Sequence, residues 1–303
     1  MRLRLGTRGS ALARAQAGLV GASLEAAHPG LTVELVFIRT TGDQMQRGSL
    51  AAAGGKGLFL KEIEDALVAG TVDFAVHSMK DVPVALAPGC VLAAVPARAD
   101  PRDVLVARTS GGISGLAARA CVGTASVRRR AQLLARRRDL DVVVLRGNVD
   151  TRLARWRAGE LDAIVLAAAG LARLGLVVPE AQPVSVTELV PAVGQGALAL
   201  ECRADAARTR ALLAAVDDAP AATAMAAERG FLAAIGGDCN TPIAAHAVVE
   251  AETVTLRVQV SDLLGERWLD DEASAPVTAA GDLGRGLAER LLARGAADLL
   301  GGR

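Results

Sequence analysis

The 303-residue chain carries 34 Lys plus Arg and 33 Asp plus Glu, a formal net charge of +1. That balance argues against a general polyanion binder, which needs a basic footprint. Four Phe, two Trp and no Tyr argue against single-strand nucleic-acid binding by base stacking, and the length suits two or three domains better than one core.

Only Lys56, Lys61 and Lys80 are lysine, so 31 of the 34 basic residues are arginine. Genome composition is one explanation. A need for bidentate contacts to carboxylates or phosphates is the other. The run Met1-Arg2-Leu3-Arg4-Leu5-Gly6-Thr7-Arg8 has charges every few residues and no apolar signal core. The longest uncharged apolar run, residues 82–97, holds Pro83, Pro88 and Pro96, so no membrane span is expected. Cys90, Cys121, Cys202 and Cys239 are too far apart for a zinc knuckle or a redox pair. A soluble, metal-free protein of the reducing cytoplasm, without a structural disulfide, is the expectation.

Leu3 and Leu5 begin a strand, Gly6 to Ser10 turns, and Ser10 is placed to cap a helix over 11–27 that stops at His28-Pro29-Gly30. Thr32 to Arg39 alternates as a strand. Gly54-Gly55-Lys56-Gly57 opens a helix with Leu58, Phe59, Ile63 and Leu67 on one face, closed by Gly70. Residues 72–76 and 91–95 read as strands. This rhythm predicts an α/β fold with a largely parallel sheet. It restarts near Pro101, with strands over 103–107, 120–123, 142–145 and 163–166 and helices from about Ser126 and Asn148. Gly6-Thr7-x-x-Ser10 echoes Gly123-Thr124-Ala125-Ser126, which suggests two similar lobes. Residues 197–201 read as one more buried strand, returning to the first lobe. The remainder reads as a helix (221–235), a loop, a strand pair around Leu264-Gly265 (253–260 and 266–269) and a terminal helix (283–300). The expected division is 1–98 with 195–216, then 99–194, then a small α+β domain over 217–303.

In open α/β sheets, ligands sit beyond the carboxyl ends of strands, where helices begin. Three such junctions carry arginine, at Arg8, at Arg128 and Arg129, and at Arg146 and Arg152. From Arg128 to Arg157 there are ten Arg and three Asp, a local charge of +7, so the other residues sum to −6. Helix N-terminal amides and guanidinium forks both favour anions. For Arg136-Arg137-Arg138 a solvated basic face is the plainer reading. No P-loop pattern is present, and several carboxylates fit the cations as well as phosphates do.

Residues 72–83 read as a strand running into the polar loop His77-Ser78-Met79-Lys80-Asp81 before a rigid Val82-Pro83. A lone loop Asp is most often a turn former. At a strand end among arginines, it also suits acid–base work or stabilisation of a developing cation. Cys239 sits in Gly236-Gly237-Asp238-Cys239-Asn240-Thr241-Pro242, a loop with little use for a packing thiol. A nucleophile and an attachment point are both open there.

Taken together, the runs Gly54-Gly55-Lys56-Gly57-Leu58-Phe59, Ala75-Val76-His77-Ser78-Met79-Lys80-Asp81-Val82-Pro83, Leu145-Arg146-Gly147-Asn148-Val149, Val193-Gly194-Gln195-Gly196-Ala197 and the Cys239 loop resemble the porphobilinogen deaminase (hydroxymethylbilane synthase) family, in order and over nearly the whole chain. The resemblance implies two doubly wound lobes of the periplasmic-binding-protein type plus a small third domain. It implies a dipyrromethane cofactor joined by a thioether to Cys239. It implies stepwise condensation of four porphobilinogens to hydroxymethylbilane for tetrapyrrole biosynthesis, with release of four ammonia, by a monomer. Asp81 then looks like the catalytic aspartate. Lys80, Ser126, Arg128, Arg129 and Asp43 look like cofactor-binding residues. Arg8, Ser10, Lys56, Arg146, Arg152, Arg173 and Gln195 look like substrate-binding residues.

The chain departs from the family's pattern at three places. Ala52 stands where a basic residue is common, Ala125 replaces the first of two serines, and Asp238 precedes Cys239 where glycine is commoner. The first two weaken single anion contacts. The third disfavours the thiolate and slows attachment. The competing reading is a non-enzymatic two-lobed module that binds a carboxylate ligand, which fold alone does not separate from an enzyme.

Overall fold

A computed structural model of the chain describes residues 1–40, 60–237 and 240–301. Asp43, Ala52, Lys56, Asp238 and Cys239 lie outside the described residues, as does the Gly54 to Phe59 run. The chain divides into two compact units, 1–99 with 197–222 and 100–196 with 223–303.

In chain order the first unit begins with β1 (Arg2–Arg8), α1 (Ala11–Ala27), β2 (Thr32–Ile38), α2 (Lys61–Val68), β3 (Phe74–Ser78), a 3-10 turn over Met79–Asp81, and β4 (Cys90–Ala94). The second unit follows with β5 (Asp103–Ala107), β6 (Cys121–Gly123), α3 (Val127–Arg136), β7 (Asp141–Val143), α4 (Val149–Arg157), β8 (Ala163–Ala167), α5 (Ala168–Arg173) and β9 (Ala181–Pro183). Then β10 (Leu198–Arg203) and α6 (Ala207–Leu213) rejoin the first unit. The chain ends with α7 (Ala219–Ile235), β11 (Ile243–Glu250), β12 (Thr253–Ser261), β13 (Trp268–Pro276), α8 (Ala280–Ala293) and α9 (Ala296–Leu299).

The two five-stranded sheets share one plan, β2-β1-β3-β10-β4 and β7-β6-β8-β5-β9. In each, three neighbouring strands are parallel and the fourth is antiparallel to both its partners. The sheets are therefore mixed, where the βα rhythm predicted a largely parallel one. The antiparallel strands are β5 and β10, the first strand after each crossing of the chain from one unit to the other. A strand that enters this way starts beside the carboxyl ends of its neighbours. Asp103 thus pairs with Ala167 at the end of β8, and Leu198 pairs with Ser78 at the end of β3.

Each sheet buries apolar residues on both faces. In the first unit, Leu3, Leu5, Phe74, Val76 and Leu200 pack with α1 residues Val20 and Leu24. Ile63, Leu67, Val72, Ala75 and Cys90 form the core under α2. Full side-chain burial at about 25 cal/mol per Å² of apolar area makes these layers the main stabilising term. Arg4 fixes β1 to the start of β3 through a two-pronged pair with Asp73, at 2.8 and 3.2 Å.

The Gly-Thr echo is structural. Thr7 and Thr124 are both buried, and in each case the following serine caps a helix. Ser10 Oγ accepts from the Ala13 amide and Ser126 Oγ from the Arg129 amide.

The last sheet, β11-β12-β13, is antiparallel. The expected loop after α7 contains β11, and β13 runs through Pro276, well past the predicted 269. The predicted terminal helix breaks at Gly295, whose φ is +92°. The hairpin between β12 and β13 leans on α3. Arg138 donates to the Leu264 and Gly265 carbonyls at 3.3 and 2.8 Å. Gly265 has φ +63°, and a Cβ there would overlap the Ala131 carbonyl oxygen. Gly265→Ala is expected to destabilise the protein by at least about 2 kcal/mol, through left-handed backbone strain plus overpacking. A thermal midpoint equal to that of the parent would contradict this account of the hairpin.

Candidate functional site

Strands β1 and β3 are adjacent and parallel, with Leu5 opposite Phe74 and Gly6 opposite Ala75. Their carboxyl ends therefore open on the same edge of the sheet. There α1 starts on one side and the Met79–Asp81 turn on the other. Between them lies a pocket whose polar lining is Arg8, Ser10, Gln16, His77, Ser78 and Asp81, over an apolar floor of Leu60, Ile63 and Val76. Asp81 and Lys80 are exposed, while Met79 and Val82 on either side are buried and anchor the turn. The Met79 amide donates to the Ala197 carbonyl at 3.0 Å, so the segment entering β10 holds the turn in place. Gln16 was not singled out by sequence reasoning. It is 4% exposed and donates from Nε2 to Ser78 Oγ at 2.9 Å, which orients that hydroxyl at the pocket wall.

The second unit gathers the other cations. Arg128 and Arg129 start α3, and both are buried. Both reach Asp103, which is 0% exposed. Arg128 Nη2 donates to Oδ2 at 2.8 Å, while Arg129 Nε and Nη2 donate to Oδ1 at 3.0 and 2.7 Å. Gln195 Nε2 adds a bond to the same Oδ1 at 2.8 Å and another to the Pro101 carbonyl at 2.7 Å. Burial by itself pushes the Asp103 carboxyl up, but the charges of Arg128 and Arg129 outweigh it and bring it down to about 2. Arg152 donates from Nε to the Gly147 carbonyl at 2.7 Å. Burial, then the charge of Arg129, pushes its guanidinium down to about 10. Three guanidiniums thus stand against one buried carboxylate, and Nε of Arg128 is buried without a hydrogen-bond partner. A cationic surplus held by carbonyls and a single Asp is suited to a multiply charged anion.

The remaining predicted residues fall as follows. Ser126 caps α3. Arg146 is exposed beyond the end of β7. Arg173, at the end of α5, donates to the Gly196 carbonyl at 2.6 Å, and burial lowers its pKa. Asp43, Lys56 and Cys239 lie outside the described residues. The arginine triplet is solvated as read, with Arg136 and Arg138 exposed and Arg137 half-buried, but its side chains also make local hydrogen bonds. Arg136 donates to the Thr187 carbonyl, Arg137 to Asp139 and to the Ile113 and Leu116 carbonyls, and Arg138 to the β12–β13 turn. These three side chains staple loops to α3. Asp103 was read only as the start of an apolar strand. Its signal was an acidic residue opening Asp103-Val104-Leu105-Val106-Ala107, where burial demands a cationic partner.

Comparison with known proteins adds the following. A family profile described as "Porphobilinogen deaminase, dipyromethane cofactor binding domain" matches residues 3–211, and "Porphobilinogen deaminase, C-terminal domain" matches residues 222–293. A porphobilinogen deaminase of Syntrophotalea carbinolica is 51% identical over 98% of this chain and 95% of its own. One from Nitratidesulfovibrio vulgaris is 47% identical over 99% and 96%. Among solved structures, a probable amino-acid ABC transporter extracellular-binding protein of Bacillus subtilis covers 71% of this chain and 90% of its own, at 11% identity and a TM-score of 0.43.

Proposed function

The chain belongs to the porphobilinogen deaminase family, and from that premise we propose that it condenses four porphobilinogens stepwise onto a dipyrromethane carried on Cys239, releasing ammonia at each step and yielding hydroxymethylbilane. The observation that carries the assignment of roles is the meeting of Asp81, Arg8 and Ser10 in one pocket at the carboxyl ends of β1 and β3. A module that only binds a carboxylate ligand has no need of an aspartate at that point.

Each porphobilinogen brings an acetate and a propionate. Arg8, Ser10, Lys56, Arg146, Arg152, Arg173 and Gln195 take the carboxylates of the substrate units. Lys80, Ser126, Arg128, Arg129 and Asp43 hold the cofactor. The dipyrromethane, when bound, supplies a nucleophilic pyrrole carbon. Asp81 is assigned the place beside the aminomethyl carbon of bound substrate, where its carboxylate would stabilise the cation that develops as the C–N bond breaks. The same group passes a proton to the departing amine and accepts the one lost from the attacked carbon. Guanidinium forks suit this site because they hold carboxylates in two-point contacts and stay charged.

The three-domain division, 1–98 with 195–216, 99–194 and 217–303, is our reading. It is supported by the separate β11–β13 sheet and the separate C-terminal match. We read the working form as a cytoplasmic monomer. The cytoplasm is supported by the free thiols of Cys90, Cys121 and Cys202, and the monomer by family resemblance. Among the described residues, no helix is long and apolar enough to cross a membrane.

The deciding experiment is intact-protein mass spectrometry on active enzyme, with an acid aldehyde pyrrole test alongside. A mass gain of two pyrrole units mapping to Cys239, with a coloured product, is expected despite the acidic neighbour Asp238. An unmodified mass in protein that turns over porphobilinogen would overturn the attachment.

A further inference from the structure

One buried ion pair in the first unit has no part in the mechanism above. His77, on β3, and Glu201, on β10, approach to 3.0 Å between Nε2 and Oε2, with side chains 4% and 0% exposed. The approach lies off the line a hydrogen bond requires. It is thus a close polar contact without a hydrogen bond, and weak compensation for burying a carboxylate in a sheet core.

The backbone makes a point of the arrangement. The register of β10 against β4 shifts between Leu200 and Glu201, and such a bulge re-aims a side chain. Glu201 pairs with Ala75 on the face covered by α2. Glu64 of α2 is on the same side. Its carboxyl is raised by burial first and then by Glu201, and lowered by His77. The Cys90 thiol of β4 is pushed up to about 11 by burial first, then by Glu201 and Glu64. Two carboxylates, buried Glu201 and half-buried Glu64, thus share one side of the sheet with the buried imidazole. The imidazole alone also lines the pocket that holds Asp81 and Arg8.

We propose that the His77–Glu201 pair is a positioning element of the Asp81 pocket: Glu201 holds the His77 ring at the pocket wall, and the two buried groups set the electrostatic surroundings in which Asp81 works. This rests on the reading of Asp81 given above. In each condensation the C–N bond of the aminomethyl group breaks and ammonia leaves with the electron pair. A C–C bond forms, and the attacked pyrrole carbon loses a proton, which balances the one taken by ammonia. Asp81 must therefore alternate between its two protonation states. A buried pair that neither enters nor leaves with substrate keeps the surroundings of Asp81 constant through that alternation.

The test uses full-length holoenzyme with the two-pyrrole adduct verified by mass, as wild type, as Glu201→Gln and as His77→Gln/Glu201→Gln. The double variant keeps the approximate side-chain volume and leaves no unpaired charge. We expect kcat to fall about 10-fold or more, with KM for porphobilinogen within about 2-fold, and one limb of the kcat–pH profile to move by about one pH unit. Glu201→Gln alone should lose as much as the double variant, because the two groups act together. A double variant with the wild-type pH profile and kcat within about 2-fold overturns the proposal. So does one that no longer folds, since the pair is then purely structural. Wild-type holoenzyme that releases no ammonia refutes the underlying reading of the pocket instead.

Discussion

Asp81→Asn should lower kcat by about 10²- to 10⁴-fold while leaving the thermal midpoint within the experimental spread. The two halves of the expectation have separate grounds. Asp81 is exposed at the pocket mouth, and the buried anchors of its turn are Met79 and Val82. Exchanging a carboxylate for an amide there removes little packing. It does remove the one anion that lines the pocket among the described residues, the group assigned to face a developing cation and to carry a proton in both directions. The measurement is single-turnover ammonia release by mass-verified holoenzyme, with calorimetry on the same sample. Turnover within about 3-fold of wild type would remove Asp81 from its assigned role. A large drop in midpoint would make it a structural residue.

Asp103→Ala should act the other way round, on stability first. Its carboxylate takes hydrogen bonds from Arg128, Arg129 and Gln195 with no exposure to solvent. Removing it leaves two buried guanidiniums facing each other, at a cost of about 3–5 kcal/mol. Chemical denaturation reads this directly, and a loss under about 1 kcal/mol would mean that water or the remaining carbonyls compensate. The pH dependence has a fixed sign. The folded carboxyl, at about 2, is depressed below its ordinary value of 3.8. Its stabilising contribution is therefore complete above about pH 4 and fades as pH falls toward 2. An acid-unfolding midpoint that moves up in the Asp103 variant is the accompanying expectation.

The βα rhythm was legible because most α/β strands are short apolar runs and α1, α3 and α4 open at Ser10, Ser126 and Asn148. Ser10 and Ser126 were readable as caps for that reason. What the rhythm did not carry was direction. β5 and β10 look like any other buried strand, and only their place after a chain crossing makes them antiparallel. β13 was cut short because Asp270, Asp271 and Glu272 break its apolar pattern, yet alternate residues are half-buried along its whole length. The Ala-rich start of β11, Ile243-Ala244-Ala245, has weak strand character and read as loop.

At the site, strand-end arginines and the Asp81 loop were visible as motifs. Asp103 was not, because its partners Arg128, Arg129 and Gln195 stand 25, 26 and 92 positions away. The arginine triplet was legible as a solvated face, but apart from the Arg137–Asp139 pair its partners are backbone carbonyls, which no side-chain pattern announces.

The insertion of β10 between β3 and β4 has a consequence for how the chain is made. The strands β1 to β4 are synthesised within the first 94 residues, yet β4 meets its sheet only through β10, which ends at Arg203. The second sheet is complete by Pro183. During synthesis the later sheet can therefore close first, while the earlier one waits with β3 and β4 unjoined. Such long-range closure slows folding and leaves strand edges open to wrong partners. A nascent chain released before Arg203 would carry the Asp81 turn on an unfinished sheet.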